Sequence, residues 1–504
     1  MTIKRKNMPL EDLLIKSMTK KLLLVHLLFL GFNSFAQEMV KEFDLKLEKK
    51  RDYYQVSNSK KNEIVLFSND KEKVSSIRFD SNLDIKDSLS FARPESDYEE
   101  ILGSAQKDEN YSIFWGSKDR KKIFSQSFDF ATKQVNIKTF DLELKKEKIV
   151  KEITINNVFY LITLVKNIGN LKFYIFDSSG GFDTKTVDLS KFEFSNFEGN
   201  PVNLHTALTW DSASFYFQNI NNESPPSLAL STKKNKIYTY KNDEIILTLD
   251  NNPFFTDVLR INLNDFSASL KSIKQQRTAR DEYEGLVFET NSFLIDDKLI
   301  QIKTNPQVLF LTVSDLEGMR INTFKALRDE EIPFKNSDVF QESGSFINKK
   351  VLEKPKQFIR KINNSTPGIS CYTLNGLYYA VIGSSQDIAY ASGGGMGMGG
   401  GFAGSSMPMY TYTVENLISY KDKNVVYTTC VFDSNFNHLQ DPVKTSAFEK
   451  IRMFLEKNEN IKDGRTIFNK DLYKDLILFK LNSSLYLGNY NNENKKYQIF
   501  SFSE

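Results

Sequence analysis

Three histidines serve the whole 504-residue chain: His26, His205 and His438. That scarcity limits the available chemistry. A zinc hydrolase gathers two or three converging histidines, and these three lie in unrelated stretches. A Ser-His-Asp triad needs one histidine and a nucleophile elbow, and no G-x-S-x-G occurs. His205, in the strand-like VNLHTAL, and His438, flanked by turn residues, read as ordinary strand and loop histidines. Paired carboxylates are the catalytic equipment that remains, as in glycoside hydrolysis. Among 64 acidic residues, sequence selects no pair. Asp97, Glu99 and Glu100 adjoin in the chain, as a solvated charged edge would.

Two five-residue stretches resemble the first half of a calcium loop: Asp433, Asn435 and Asn437 in DSNFN, and Asp80, Asn82 and Asp84 in DSNLD. A complete EF-hand wants Gly at the sixth position and Glu at the twelfth. Those positions hold His438 and Lys444 in one case, Ile85 and Phe91 in the other. A hairpin turn is the competing reading, because Asp and Asn bond their own main chain. Asp433, Asn435 and Asn437 stay as the metal candidates. Residues 391–406 (ASGGGMGMGGGFAGSS) form a Gly-rich insert without the G-K-[ST] ending of a phosphate loop. It reads as a flexible excursion, and no cofactor is expected. Met396, Met398, Met407 and Met409, in and beside it, are soft ligands suited to Cu(I), or adaptable contacts for a partner. Cys371 and Cys430 fit either a disulfide or two buried thiols.

The elements that must position these residues are short strands. After residue 37, runs of four to eight residues rich in Ile, Val, Phe, Tyr and Thr recur between Asn, Asp, Gly, Ser and Lys clusters. Three clear modules span Glu63–Phe91, Tyr111–Phe140 and Val158–Leu189. Fainter ones span Ser214–Tyr240, Glu244–Ile273, Lys298–Leu327, Leu377–Asn437 and Leu476–Phe500. The turn residues Asp80, Asp129 and Asp177 are spaced 49 and 48 apart. The stretch before a module, such as Glu99–Ala105, supplies a fourth strand. The fourth and fifth modules begin too close together for two complete units. Arg328–Ser370 breaks the pattern, with a loop or short helix at Lys349–Lys356. An amphipathic helix is expected through Ala447, Ile451, Phe454 and Leu455.

These modules resemble degenerate blades of the β-propeller superfamily, an architectural likeness without WD40 or kelch signatures. It implies an all-β fold of about seven four-stranded blades across residues 37–504. Tandem β-sandwiches and an outer-membrane barrel are the competing folds.

Lys20 and Lys21 precede the apolar run 22–32, and Ser34 and Ala36 follow it. This is the pattern of a secretory signal over residues 1–36, with Met18 where a compact leader would begin. Eleven residues are too few to span a bilayer, which takes roughly 20, and no transmembrane span is expected. The chain carries a formal +3, of which the first 36 residues contribute an excess of four positive charges, leaving the remainder at −1. Such a body has no electrostatic basis for nucleic-acid binding. The expected product is periplasmic, cell-surface or secreted: a non-enzymatic propeller binding a protein or glycan at the envelope. The alternatives are a carbohydrate-active hydrolase with paired Asp/Glu at a central channel, and a scaffold without a specific ligand.

Overall fold

The computed structural model describes residues 38–47, 52–209, 217–220, 226–241, 243–278, 286–344, 349–388, 414–421, 423–458, 461–462, 465–466, 475–482 and 484–503. The leader expected over residues 1–36 and the Gly-rich insert, with its four methionines, lie outside the described residues. What is described is mostly strand, consistent with an all-β, propeller-like fold. Seven antiparallel-based sheets of four or five strands follow one another, with two small hairpins between them.

In the first three sheets the three legible strands are completed by a preceding one: Asp52–Asn58, Tyr98–Lys107 and Glu147–Ile155. In the fifth sheet Glu289–Ile295 plays the same part. The fourth and fifth sequence modules merge into a single sheet, the fourth. Its four antiparallel strands run from Asn235 to Lys274, and Gln218–Ile220 adds a short parallel strand at one edge. Within the module Ser214–Tyr240, the run SLALST holds helix Leu228–Ser231 where a strand was expected, because Ser227 caps it through a 3.4 Å hydrogen bond from the Leu230 N–H. His205 also lies in a helix, Leu204–Thr209, where the Asn203 side chain accepts from the Thr206 N–H at 2.9 Å. Asparagine favours such caps. The sixth sheet draws Phe340–Ser343, Lys350–Val351 and Thr366–Leu374 from the stretch thought to break the pattern. A helix, Pro355–Asn363, also lies there, with proline in its first turn.

The seventh sheet joins the first and last described strands. Glu38–Asp44 pairs with Lys496–Phe502, and Glu38 faces Ser501. Apolar clusters link the first six sheets in order and the seventh to the first, and the sixth meets the helix Ala447–Asn458 through the Arg452–Glu342 ion pair. Tyr54 and Val65 meet Ile113 and Trp115 between the first and second sheets. Phe114 meets Phe159 between the second and third. Leu164 and Leu249 share a cluster, as do Val258, Ile302 and Ile369, which carries the packing through to the sixth sheet. The helix Ala447–Asn458 presents Ile451 and Leu455 to the seventh sheet, confirming its apolar face. The seventh sheet then packs on the first through Ile499, Phe479 and Ile64. The packing order therefore returns to its start. Each such buried Leu, Ile or Phe contributes about 2 kcal/mol relative to exposure.

The two ends of the sheets differ. At one end six sheets carry the same turn. Asp80, Asp129, Asp177, Asn262, Asp315 and Asp433 each close a third strand. Each side-chain Oδ1 accepts the N–H two residues on, at 2.7 to 3.0 Å. A left-handed residue follows in every case: Leu83, Lys133, Gly180, Phe266, Gly318 and Phe436. The connections between first and second strands are at this same end. They touch from sheet to sheet: Gln106 N–H donates to Asn157 O at 3.1 Å, and Lys241 reaches Asp297 at 3.1 Å. The long connections 188–234, 275–288 and 388–422 leave from the opposite end. The outer strands carry exposed lysines, Lys86, Lys138, Lys185, Lys271 and Lys325, which discourage edge-to-edge pairing.

Candidate functional site

The residues singled out by sequence are dispersed and mostly occupied. Asp433 accepts from the N–H groups of Asn435 and Asn437, both at 2.8 Å, and its other oxygen takes the Asn437 amide at 2.9 Å. These bonds, led by the Asn437 amide, hold its carboxyl below the usual value. Asp80 is used the same way by Asn82 and Asp84. The half calcium loops are thus two copies of the recurrent turn.

His438 bridges to Phe432, and its Nε2 sits 3.0 Å from Asn336 Oδ1. Burial lowers its pKa. Glu99 is exposed, but Glu100 points to the other face of its strand and is buried against Arg120. Arg120 also reaches Glu152 at 3.0 Å. The expectation of a wholly solvated edge fails there, because strand alternation turns one of the two carboxylates inward.

Cys371 and Cys430 are both buried free thiols, and the disulfide alternative falls. Each pairs with Ala380 from opposite sides, so one strand lies between them. Two strand spacings are about 9.6 Å, beyond the reach of a disulfide. Burial pushes both thiols up.

Among the buried ionic clusters unseen in the sequence, two involve the sixth sheet. The first joins the fourth, fifth and sixth sheets. Lys236, at the start of Asn235–Lys241, is fully buried, as are Asp250 and Asn291. Its Nζ lies 2.6 Å from Asn291 Oδ1 and 3.2 Å from Asp250 Oδ2. Asp250 accepts further bonds from Thr256 Oγ1 at 2.7 Å and from Ser292, whose N–H is at 2.9 Å and Oγ at 2.8 Å. The Asn291 amide nitrogen donates to the carbonyls of Thr232 and Pro367 at 2.8 and 2.9 Å. Those two bonds fix the amide so that its oxygen faces the lysine. Burial drives the lysine's pKa down, against the attraction of Asp250. Nothing in KKNKIYTY separates Lys236 from its solvated neighbours; only its alternation with Ile237 and Tyr238 in a strand could have hinted at it.

The second cluster lies between the sixth sheet and the helix Ala447–Asn458. Glu342 accepts from Arg452 at 2.7 Å and from Tyr427 Oη at 2.6 Å. The guanidinium also stacks on Tyr420 at 4.1 Å. Arg452, Tyr420, Leu417 and Leu455 line a small recess.

On the elaborated end several large apolar side chains are exposed, among them Ile168, Val287 and two aromatics. Phe197 is 53% exposed and Phe254 is 57% exposed. Their loops are tied by a 2.7 Å bond from Asn252 Nδ2 to Asn196 O.

No protein-family model matches the chain, and no curated protein matches it. Some solved structures are similar. An apocarotenoid oxygenase from Synechocystis matches over 56% of this chain and 62% of its own, at 9% identity and a TM-score of 0.29. The chain thus spans about three fifths of that enzyme's length. A prolyl endopeptidase matches over 66% of this chain and 47% of its own, at 8% identity and 0.29. A protein from Lactobacillus plantarum matches over 66% and 80%, at 8% identity and 0.26. Likenesses at this level assign no activity. Among the described residues, no helix is long and apolar enough to cross a membrane.

Proposed function

We propose that this chain is an exported, seven-bladed β-propeller that binds a protein or glycan at the cell envelope without catalysing a reaction on it. The observation that supports this most is the pairing of Glu38–Asp44 with Lys496–Phe502. It ties the ends of a sheet series whose packing returns to its start, which suits a rigid scaffold. The buried charged groups support the same reading. Arg452 and Glu342 tie a helix to the sixth sheet, and Arg120 and Glu152 tie the second sheet to the third.

The binding surface in this reading is the end bearing the long connections, since recognition concentrates on loops held by a rigid frame. Phe197 and Phe254 are its aromatic anchors. Aromatic side chains give contact area at low entropic cost.

The test is affinity capture from envelope extracts and binding to a glycan panel with residues 37–504. Phe197→Glu with Phe254→Glu should abolish retention of the partner, while Ile85→Glu, beside a tight turn, should leave it intact. Hydrolysis of any retained glycan or peptide, or equal binding by both variants, would overturn the proposal.

A further inference from the structure

We propose that Lys236 and Asn291 condense into an intramolecular amide that covalently bolts the fourth sheet to the fifth. The arrangement has the parts such a reaction needs. The nucleophile is a lysine amine with no solvent exposure, 2.6 Å from the oxygen of the amide it would attack. Its pKa is lowered, chiefly by burial, which favours the uncharged, nucleophilic amine. A carboxylate, Asp250, stands 3.2 Å from the same nitrogen. The Ser292 N–H lies 2.8 Å from Asn291 Oδ1, where negative charge develops on attack.

The bond changes balance without an oxidant or cofactor. Nζ of Lys236 attacks Cγ of Asn291, and the carbonyl electron pair moves onto Oδ1 under the Ser292 N–H. Asp250 accepts the proton that Nζ sheds. The carbonyl re-forms, the Cγ–Nδ2 bond breaks, and Nδ2 leaves with that proton as ammonia. Holding the two groups in contact in a dry interior replaces a bimolecular encounter with a local one. The product has a neutral amide where a buried lysine stood, which removes the desolvation cost of the charged group. Neither cysteine can form a disulfide, so this link would supply the cross-link that the thiols do not. It is independent of what the elaborated end binds.

The experiment is tandem mass spectrometry of a tryptic digest of the purified wild-type chain. The expected result is a branched peptide joining the Lys236 and Asn291 segments, lighter than their sum by about 17 Da, one ammonia. Peptide-level reading is required, because an N-terminal Gln37 loses the same mass on cyclising. Recovery of Lys236 and Asn291 in separate peptides of full mass would overturn the proposal. A branch to Asp250 with loss of about 18 Da, one water, would equally overturn the assignment to Asn291. Lys236→Arg and Asn291→Ala should each abolish the branched peptide. The wild-type digest decides the matter even if both variants fail to fold.

Discussion

Arg452 and Glu342 are joined at 2.7 Å, 110 residues apart in sequence, in the seam where a helix stands between the sixth and seventh sheets. Glu342 has no exposed surface, so the guanidinium and Tyr427 hydroxyl are what allow a carboxylate there. Removing the cation alone should be expensive. Arg452→Ala is expected to cost about 3–5 kcal/mol, the usual penalty for stranding a buried charge. Arg452→Met with Glu342→Leu should recover most of that loss. Denaturant melts of the two variants check this, and an equal loss in both would argue against it.

Deleting Glu38–Asp44 removes the outer strand of the seventh sheet. Phe43 leaves with it, losing ring contacts of 5.5 Å with both Phe79 and Tyr497. The Glu42 bonds to Lys496 and Gln498 go too. A loss of about 3 kcal/mol is expected from Phe burial plus ladder bonds. Urea unfolding of the truncated chain measures it, and an unchanged midpoint would show that the closing strand is dispensable.

The recurrent turn makes an acid-sensitive prediction. Burial alone would raise the Asp177 carboxyl, but hydrogen bonds from Ser179 and Gly181 outweigh it and hold the group below its ordinary value. A depressed folded-state pKa gives stability that is fully present above the unfolded value, near 3.8. It is lost as the pH falls through the folded value. Asn262 occupies the same position in the fourth sheet, so Asp177→Asn should keep the turn at neutral pH and flatten the acid limb of the stability curve. Asp177→Ala should cost about 1 kcal/mol at pH 7. Thermal melts between pH 2 and 7, roughly spanning the carboxylate range, separate the two variants.

The Gly-rich insert leaves from a pair that is already closed. Asp387 and Lys423 face each other and form a 2.6 Å ion pair at its base. Deleting Gly393–Gly404 should leave the melting temperature within a few degrees. The deletion takes one aromatic, Phe402, which counts for about 2–3 kcal/mol even if buried. A large fall in calorimetry would show the segment to be packed structure.

Strand content and period were legible because β-branched and aromatic runs alternate with turn residues, and because Asp80, Asp129 and Asp177 sit at equivalent turns. The completing strands were harder. DYYQVSN at Asp52–Asn58 mixes polar residues into a buried strand, and its place is set by neighbours on both faces rather than by its own alternation. The short helices near Leu204 and Leu228 were missed because a cap from Asn203 or Ser227 overrides weak strand propensity over four to six residues. Buried charge was the least legible. Lys236, Glu100 and Arg452 each look like surface residues locally, and only partners brought in by tertiary packing make their burial tolerable. The surface pair Phe197 and Phe254 depends on a hydrogen bond between two loops far apart in sequence.

The strand pairing at the chain ends also fixes an orientation. Glu38 lies opposite Ser501, while Phe502 faces Leu485 beside the Leu481–Ser484 turn. The first and last described strands therefore begin and end at the rim of tight turns. Anything tethered there, whether a purification handle or a membrane anchor, would hold the protein like a cup by its base. The long connections would then face outward, and sensors built by immobilising either end would present the loop-bearing mouth to solution.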